Sequence, residues 1–160
     1  MIEVDVEIED PAWSDAEPDT ASVVEQAAKA ALAAALDADP AAGEGGLVVL
    51  LASDAAVQAL NNAFRGQDKP TNVLSFPAAP NPEDHLGDVA LAYGVCAAEA
   101  EVQGKSLADH LRHLTIHGVL HLLGYDHQID SEARTMEALE RRILEGMGVP
   151  DPYAAERDAT

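Results

Sequence analysis

Three histidines in one short stretch of the chain have the residue type and the spacing of a metal site. The stretch runs from His117 to His127 and reads HGVLHLLGYDH, with His121 one helical turn after the first histidine. Residues four apart project from the same face of a helix, so the first two imidazoles can point at one ion. Gly124 can adopt the left-handed conformation that ends a helix and turns the chain back towards them. We therefore predict a metal site formed by His117, His121 and His127.

Three imidazoles around one ion, with a fourth position left open, are typical of catalytic zinc sites. Zinc held in this way lowers the pKa of a bound water towards about 7, which favours hydrolysis at neutral pH. Nickel, copper and cobalt accept the same ligands, so the residues alone leave the metal open. Asp126 precedes the third histidine and is a candidate for orienting an imidazole or serving as the base. An acidic residue at this position is equally typical of a turn.

The same histidine spacing occurs in zinc peptidases with the motif HExxHxxGxxH. Those enzymes carry their glutamate base directly after the first histidine, and Gly118 occupies that position here. The ligand set is present while the peptidase base is missing, which argues against proteolysis. His110 and His113 precede the motif on the same predicted helix, where they are candidates for a fourth ligand, although a supporting or surface role is the favoured prediction.

The segments that would position these histidines alternate between strand and helix patterns. Alternating apolar and acidic residues from Ile2 to Glu9 predict a half-buried strand. The apolar run 47–52 predicts a central strand that is covered on both faces. Further strands are predicted at 71–76 and 87–92, and helices at about 22–36, 54–65, 95–103, 107–123 and 131–144.

Capping residues and apolar periodicity define the helices in more detail. Ser22 and Ser106 each stand three residues before an acidic residue, which predicts that helices begin there. The segment 10–21 is rich in Pro, Asp and Ala and is predicted to be a loop. In the second helix, Val57 and Phe64 are predicted to face the core.

The order of these elements, β-α-β-α-β-β-α-α-α, indicates one α/β domain with helices packed against a sheet. A chain of 160 residues is long enough to bury a substantial core as a single domain. We expect the domain to span residues 1–150 and residues 151–160 to form a polar tail. The single cysteine, Cys96, excludes an intramolecular disulfide and a four-cysteine zinc site.

The charge balance argues against nucleic acid as a partner when it is considered alone. The chain has 29 acidic and 9 basic residues and a net charge of −20, whereas phosphate binding is normally driven by clustered Lys and Arg. The sequence has no apolar run long enough for a membrane span, and its acidic beginning is unlike a targeting peptide. We therefore expect a cytoplasmic protein with no membrane partner.

Four blocks of the sequence resemble the YbeY-type endoribonucleases, a family of rRNA maturation factors. The most specific block is HGVLHLLGYDH at 117–127, and the likeness extends from the second strand to Asp151-Pro152-Tyr153. The other blocks are LNNAFRGQDKPTNVLSFP at 60–77, LGDVALA at 86–92, and the helix that carries Met136, Glu137 and Glu140. Their agreement in the right order makes chance similarity improbable.

The resemblance implies a fold and a set of site residues. The fold would be a mixed sheet of about four strands with about five helices, in which a glycine turn follows the zinc-ligand helix. His117, His121 and His127 would bind one Zn²⁺, and His117 would thereby also be catalytic. Arg65 would lie in the active-site cleft and be required for activity. The chain departs from the family at Asn72, where an Asp is usual, and we expect a structural role for this position.

The resemblance also implies an activity and partners. The protein would cleave single-stranded RNA, process the 3′ end of 16S rRNA and act in ribosome quality control, with the ribosomal small subunit or its proteins as partners. The metal would polarise a phosphate oxygen while Arg65 stabilises charge in the transition state. The alternatives are a non-catalytic ribosome-assembly factor with a structural zinc, and a metallohydrolase of another substrate. An open coordination position argues against a structural zinc. The cleavage site and the oligomeric state stay open.

Overall fold

The fold is organised around a four-stranded mixed sheet. A computed structural model describes residues 3–38, 45–79, 81–125 and 130–152. The strands are β1 (Glu3–Ile8), β2 (Gly46–Ala52), β3 (Val73–Pro77) and β4 (His85–Ala92). The helices are α1 (Ala12–Ala16), α2 (Thr20–Ala38), α3 (Asp54–Arg65), α4 (Tyr93–Gln103), α5 (Leu107–Leu122) and α6 (Asp130–Gly146).

The strand order is β1-β2-β4-β3, so β1 and β3 are the two outer strands of this sheet. β2 pairs in parallel with both β1 and β4, while β3 runs antiparallel to β4. Helical connections are needed between parallel strands, whereas the antiparallel pair β3 and β4 is joined by a loop. The mixed sheet and the single α/β architecture predicted from the sequence are confirmed.

Apolar side chains on the two faces of the sheet pack against different helices. On one face, Val49 and Leu51 of β2 join a large buried cluster that includes residues of α2, α5 and α6. On the other face, Ala52 joins a smaller cluster with Val57 of α3 and Leu74 of β3. This alternation along β2 explains why its sequence is apolar throughout, because both of its faces are covered.

Gly118 allows α5 to lie directly on the sheet. A Cβ atom at this position would lie 2.8 Å from Cγ1 of Val89 and 3.1 Å from Cγ2 of Val73. At the same contact, the hydroxyl of Ser75 donates a 2.8 Å hydrogen bond to the backbone carbonyl of Gly118. The residue that argues against a peptidase therefore has a packing function, and it fixes the height of the neighbouring histidine above β3.

Several local predictions are confirmed. The side chain of Ser106 accepts a hydrogen bond from the amide of Asp109, so it serves as the predicted N-cap, and the side chain of Ser53 caps α3 in the same way by accepting from the amide of Ala56. The histidine helix begins at Leu107 as expected. Among the described residues, no helix has both the length and the apolar composition needed to cross a membrane.

Three local predictions are wrong, because long-range packing decides the structure at these positions. The segment 10–21 contains α1 and the start of α2, so the described part of the chain has six helices, and Ser22 lies inside α2. Trp13 of α1 is fully buried, and its indole N–H donates a 3.0 Å hydrogen bond to the carbonyl of Ala52. Phe64 was expected in the core, but it is 70% exposed.

Candidate active site

Four histidines form a row along one side of α5. They are His110, His113, His117 and His121, spaced three or four residues apart so that they share a helix face. The centroids of successive rings lie 6.4, 6.2 and 4.7 Å apart. The closest pair, His117 and His121, consists of two of the three residues predicted to bind metal.

A buried carboxylate of α6 contacts this row. Glu140 is fully buried, with Oε1 2.5 Å from Nδ1 of His117 and Oε2 3.3 Å from Nε2 of His113. Burying a carboxylate is costly unless charged or hydrogen-bonding groups surround it, and two imidazoles satisfy this one. The apolar residues of the same helix stripe anchor Glu140 in the core: Met136, Leu139, Ile143 and Leu144.

The hydrogen bond to Glu140 determines which ring nitrogen of His117 can bind a metal. When Nδ1–H donates to the carboxylate, the lone pair of the ring is on Nε2. Protein zinc sites commonly orient a histidine ligand in this way, through a carboxylate behind it. In addition, the donor atoms of His113, His117 and Glu140 all lie within 4.8 Å of one another, so this group could itself hold a metal ion.

The glycine turn predicted after the histidine helix is present. Gly124 has φ +98°, in the left-handed region that side chains other than glycine rarely adopt. The amides of Gly124 and Tyr125 donate 3.1 Å hydrogen bonds to the carbonyls of His121 and Leu120, respectively, which ends α5. The predicted third ligand, His127, and its neighbour Asp126 lie outside the described residues.

Arg65 is joined to the histidine helix through one residue of β3. It is the last residue of α3 and is exposed, and its Nη2 donates a 3.5 Å hydrogen bond to the backbone carbonyl of Ser75. The hydroxyl of that serine donates to the carbonyl of Gly118, which directly follows His117. The predicted arginine therefore contacts the outer strand of the sheet at the residue whose side chain reaches α5 beside His117, although α3 itself packs on the opposite face of the sheet.

Asn72 makes structural contacts at the start of β3. Its Nδ2 donates a 3.1 Å hydrogen bond to Oε1 of Glu99, and its Oδ1 accepts a 2.7 Å bond from the amide of Val73. Glu99 in turn contacts Nε2 of the buried His110 at 3.0 Å, and burial lowers the pKa of this histidine. An aspartate at position 72 would place a second carboxylate against Glu99, so the amide suits this environment.

Glu140 and the close approach of His113 are not among the site residues predicted from the sequence. A signal for Glu140 is nevertheless present, because an acidic residue interrupts the apolar stripe of α6 at a position that must face the core. An acidic residue at a core position is rare unless it is paired. The identity of its partners depends on how α6 packs against α5, which local sequence patterns do not specify.

Comparison with known proteins identifies the family. Residues 12–148 match the family model described as Endoribonuclease YbeY. Endoribonuclease YbeY of Paramagnetospirillum magneticum is 50% identical over 163 aligned residues, which cover 97% of this chain and 98% of that protein. The Maricaulis maris protein of the same name is 51% identical, with 98% of this chain and 94% of the relative covered.

A solved structure supports the fold independently. The solution structure of TM1509 from Thermotoga maritima superimposes with a TM-score of 0.53, covering 95% of this chain and 98% of that one at 24% identity. At this identity the similarity speaks for the fold alone. The family model and the relatives together cover nearly the whole chain. The chain belongs to the YbeY family of endoribonucleases.

Proposed function

We propose that this chain is a zinc-dependent endoribonuclease that cleaves single-stranded RNA during rRNA maturation. We further propose that it acts at the 3′ end of 16S rRNA and in ribosome quality control. The observation that carries the proposal is the set of contacts around His117. Its Nδ1 contacts Glu140, and its ring packs against the ring of His121. The next residue, Gly118, accepts a hydrogen bond from Ser75, whose carbonyl accepts one from Arg65. The names of the relatives support the reaction class, since both are endoribonucleases.

The ligands we propose for zinc are His117, His121 and His127. The donor chemistry fits, because imidazole nitrogen is a preferred zinc ligand and the rings of the first two are 4.7 Å apart on one helix face. Glu140 would hold the first ring in the orientation that presents Nε2, while the other carboxylate oxygen contacts His113. Zinc bound there supplies Lewis-acid stabilisation for the charge that develops on a phosphate oxygen.

Arg65 is suited to binding the reacting phosphate. A guanidinium is always charged and presents a planar set of N–H donors that matches phosphate oxygens. Among the described residues it makes one long hydrogen bond, to the carbonyl of Ser75, so most of its donors can turn to a substrate. We propose that Arg65 positions the phosphate and stabilises the negative charge that grows on its oxygens in the transition state.

The excess of acidic residues affects how strongly the protein binds RNA. With a net charge of −20, the isolated chain would bind RNA weakly and in a salt-sensitive manner. We propose that the domain formed by residues 1–150 docks on the ribosomal small subunit or its proteins in the cytoplasm. This docking raises the effective concentration of RNA at the site.

Paired measurements of metal content and cleavage test the proposal. Wild type, His121→Ala and Arg65→Ala are purified, their zinc is measured by mass spectrometry, and each is assayed on a labelled single strand and on its duplex. We expect His121→Ala to lose zinc and cleavage together. Arg65→Ala should keep zinc and lose about 10²-fold or more in kcat, the usual effect of removing a donor to the transition state.

His85→Ala is the matched control, because His85 is a partly exposed histidine on β4 that contacts Asp88. It should retain both zinc and cleavage. A folded, zinc-loaded wild type that cleaves no RNA would support a structural zinc in an assembly factor. Full cleavage by Arg65→Ala would exclude the charge-stabilising role.

A further inference from the structure

Both phenylalanines of the chain lie together beside Arg65. Phe64, on α3, precedes the arginine, and Phe76, on β3, follows the serine that the arginine contacts. Their ring centroids are 5.3 Å apart at an interplanar angle of 58°. Phe76 is half-buried against the smaller core cluster, whereas Phe64 is 70% exposed.

The position of α3 explains why Phe64 is exposed. Val57 and Asn61 occupy the inward stripe of this helix and are buried, and by helical periodicity Phe64 continues that stripe. The strand next to it, β3, is however the last strand of the sheet. Among the described residues, the ring of Phe76 packs against Phe64 in the final turn of α3, and most of the Phe64 ring stays in water.

We propose that Phe64 and Phe76 form a stacking platform for one base of single-stranded RNA, next to the nucleotide whose phosphate contacts Arg65. This inference rests on the proposed function. Proteins that recognise single strands combine aromatic rings, on which unpaired bases stack, with cations that hold the backbone. Here Phe64 directly precedes the cation Arg65 on α3, and Phe76 on β3 directly follows Ser75, whose carbonyl the arginine contacts.

The surroundings favour a base over an apolar protein side chain as the occupant. Arg65 and the exposed Lys69 place two of the nine basic residues of the chain within five residues of Phe64. A cation beside an exposed ring suits an RNA strand, which carries both a π-face and a phosphate. A platform of this kind also selects single strands, because the bases of a duplex are already stacked and cannot lie on the ring.

Equilibrium binding separates stacking from general electrostatics. Fluorescence anisotropy is measured with nuclease-resistant single-stranded RNA oligonucleotides, each intact or lacking one base, and a gel confirms that the RNA is uncut after each titration. Phe64→Leu keeps an apolar side chain and removes the π-face. We expect this variant to bind the intact strand at least about fivefold more weakly than wild type, with its thermal midpoint and zinc content unchanged. Phe64→Trp should retain wild-type affinity.

The base deletions give the decisive comparison. Loss of one particular base should weaken binding by wild type and have no further effect on Phe64→Leu. Val102→Ala, at an 87% exposed apolar residue on α4, is the control and should bind like wild type. Equal affinities of wild type and Phe64→Leu for the intact strand would overturn the platform. A Phe64→Leu variant that binds the ribosomal small subunit more weakly but binds the RNA strand like wild type would overturn it too. Base-dependent binding of these strands, combined with no RNA cleavage by zinc-loaded wild type in the separate cleavage assay, would leave the platform standing and contradict the proposed function instead.

Discussion

At the residue scale, the chemistry of the site depends on how Glu140 is held. Its carboxylate has no exposed surface and lies between His113 and His117, so it is fixed by the packing of two helices rather than by solvent. Such a group can orient a histidine ligand or can itself bind the metal, and both arrangements fit the 4.8 Å cluster. We propose the orienting role, which a conservative substitution can test.

Glu140→Gln retains the size of the side chain and an oxygen that accepts from Nδ1–H of His117, but removes the charge. If Glu140 orients this ligand, the variant should still bind one zinc per chain with about 10-fold to 100-fold weaker affinity. Competition with a zinc-binding dye measures this affinity. Glu145→Gln, on the exposed side of the same helix, is the control and should match wild type. Complete loss of stoichiometric zinc in Glu140→Gln would assign Glu140 as a ligand.

The thiol of Cys96 provides a second residue-scale prediction. Cys96 is buried and, chiefly through this burial, its pKa lies well above the ordinary value, so the reactive thiolate is not formed near neutral pH. We expect the native protein to resist a thiol reagent at about pH 8 and to react completely once it is unfolded in denaturant. The thiol reagent releases a chromophore when it reacts, and the absorbance of this chromophore measures the reaction. Rapid modification of the native protein would contradict the burial of this side chain.

At the element scale, the height of α5 above the sheet positions the histidines. The sequence patterns predicted where this helix begins and that a glycine turn follows it, because caps and periodicity are local. They gave no indication that Gly118 contacts Val89 and Val73, since these residues come from strands far away in the chain. The burial of Trp13 and the exposure of Phe64 were missed for the same reason, as each depends on where a neighbouring element ends.

Gly118→Ala tests this packing. The added methyl group would press on Cγ1 of Val89 at 2.8 Å and on Cγ2 of Val73 at 3.1 Å, so the helix or the strand must shift. We expect the free energy of unfolding in urea to fall by about 1–3 kcal/mol, as is usual for overpacking. Gly146→Ala on α6 has open space around the new methyl group and should be neutral or stabilising. Equal destabilisation of the two variants would contradict the close contact.

At the scale of the whole molecule, the strong negative charge opposes compactness. A net charge of −20 on 160 residues produces self-repulsion that folding intensifies and that salt screens. The fold class could be predicted from the sequence because strand and helix patterns follow one another in order, and the family blocks supported the same architecture. The charge pattern alone pointed away from RNA, whereas the blocks that resemble the endoribonuclease family implied RNA as the substrate.

Salt should therefore stabilise the protein. We expect the thermal midpoint to rise as sodium chloride increases from about 0.05 M to about 0.5 M, because screening shortens the range of repulsion. Differential scanning calorimetry on metal-free protein measures the effect without a contribution from zinc binding. A midpoint that falls with added salt would show that attractive ion pairs outweigh the net repulsion.

The most direct test of the central claim is a zinc titration of the metal-free protein, followed by cleavage of a single-stranded RNA at each point. If zinc is the catalytic metal, cleavage should be absent at the start, rise in proportion to bound zinc and reach a plateau at one equivalent per chain. The duplex of the same sequence should stay intact throughout. Full cleavage by protein shown to contain no metal, or a fully loaded protein that leaves the single strand intact, would contradict the account.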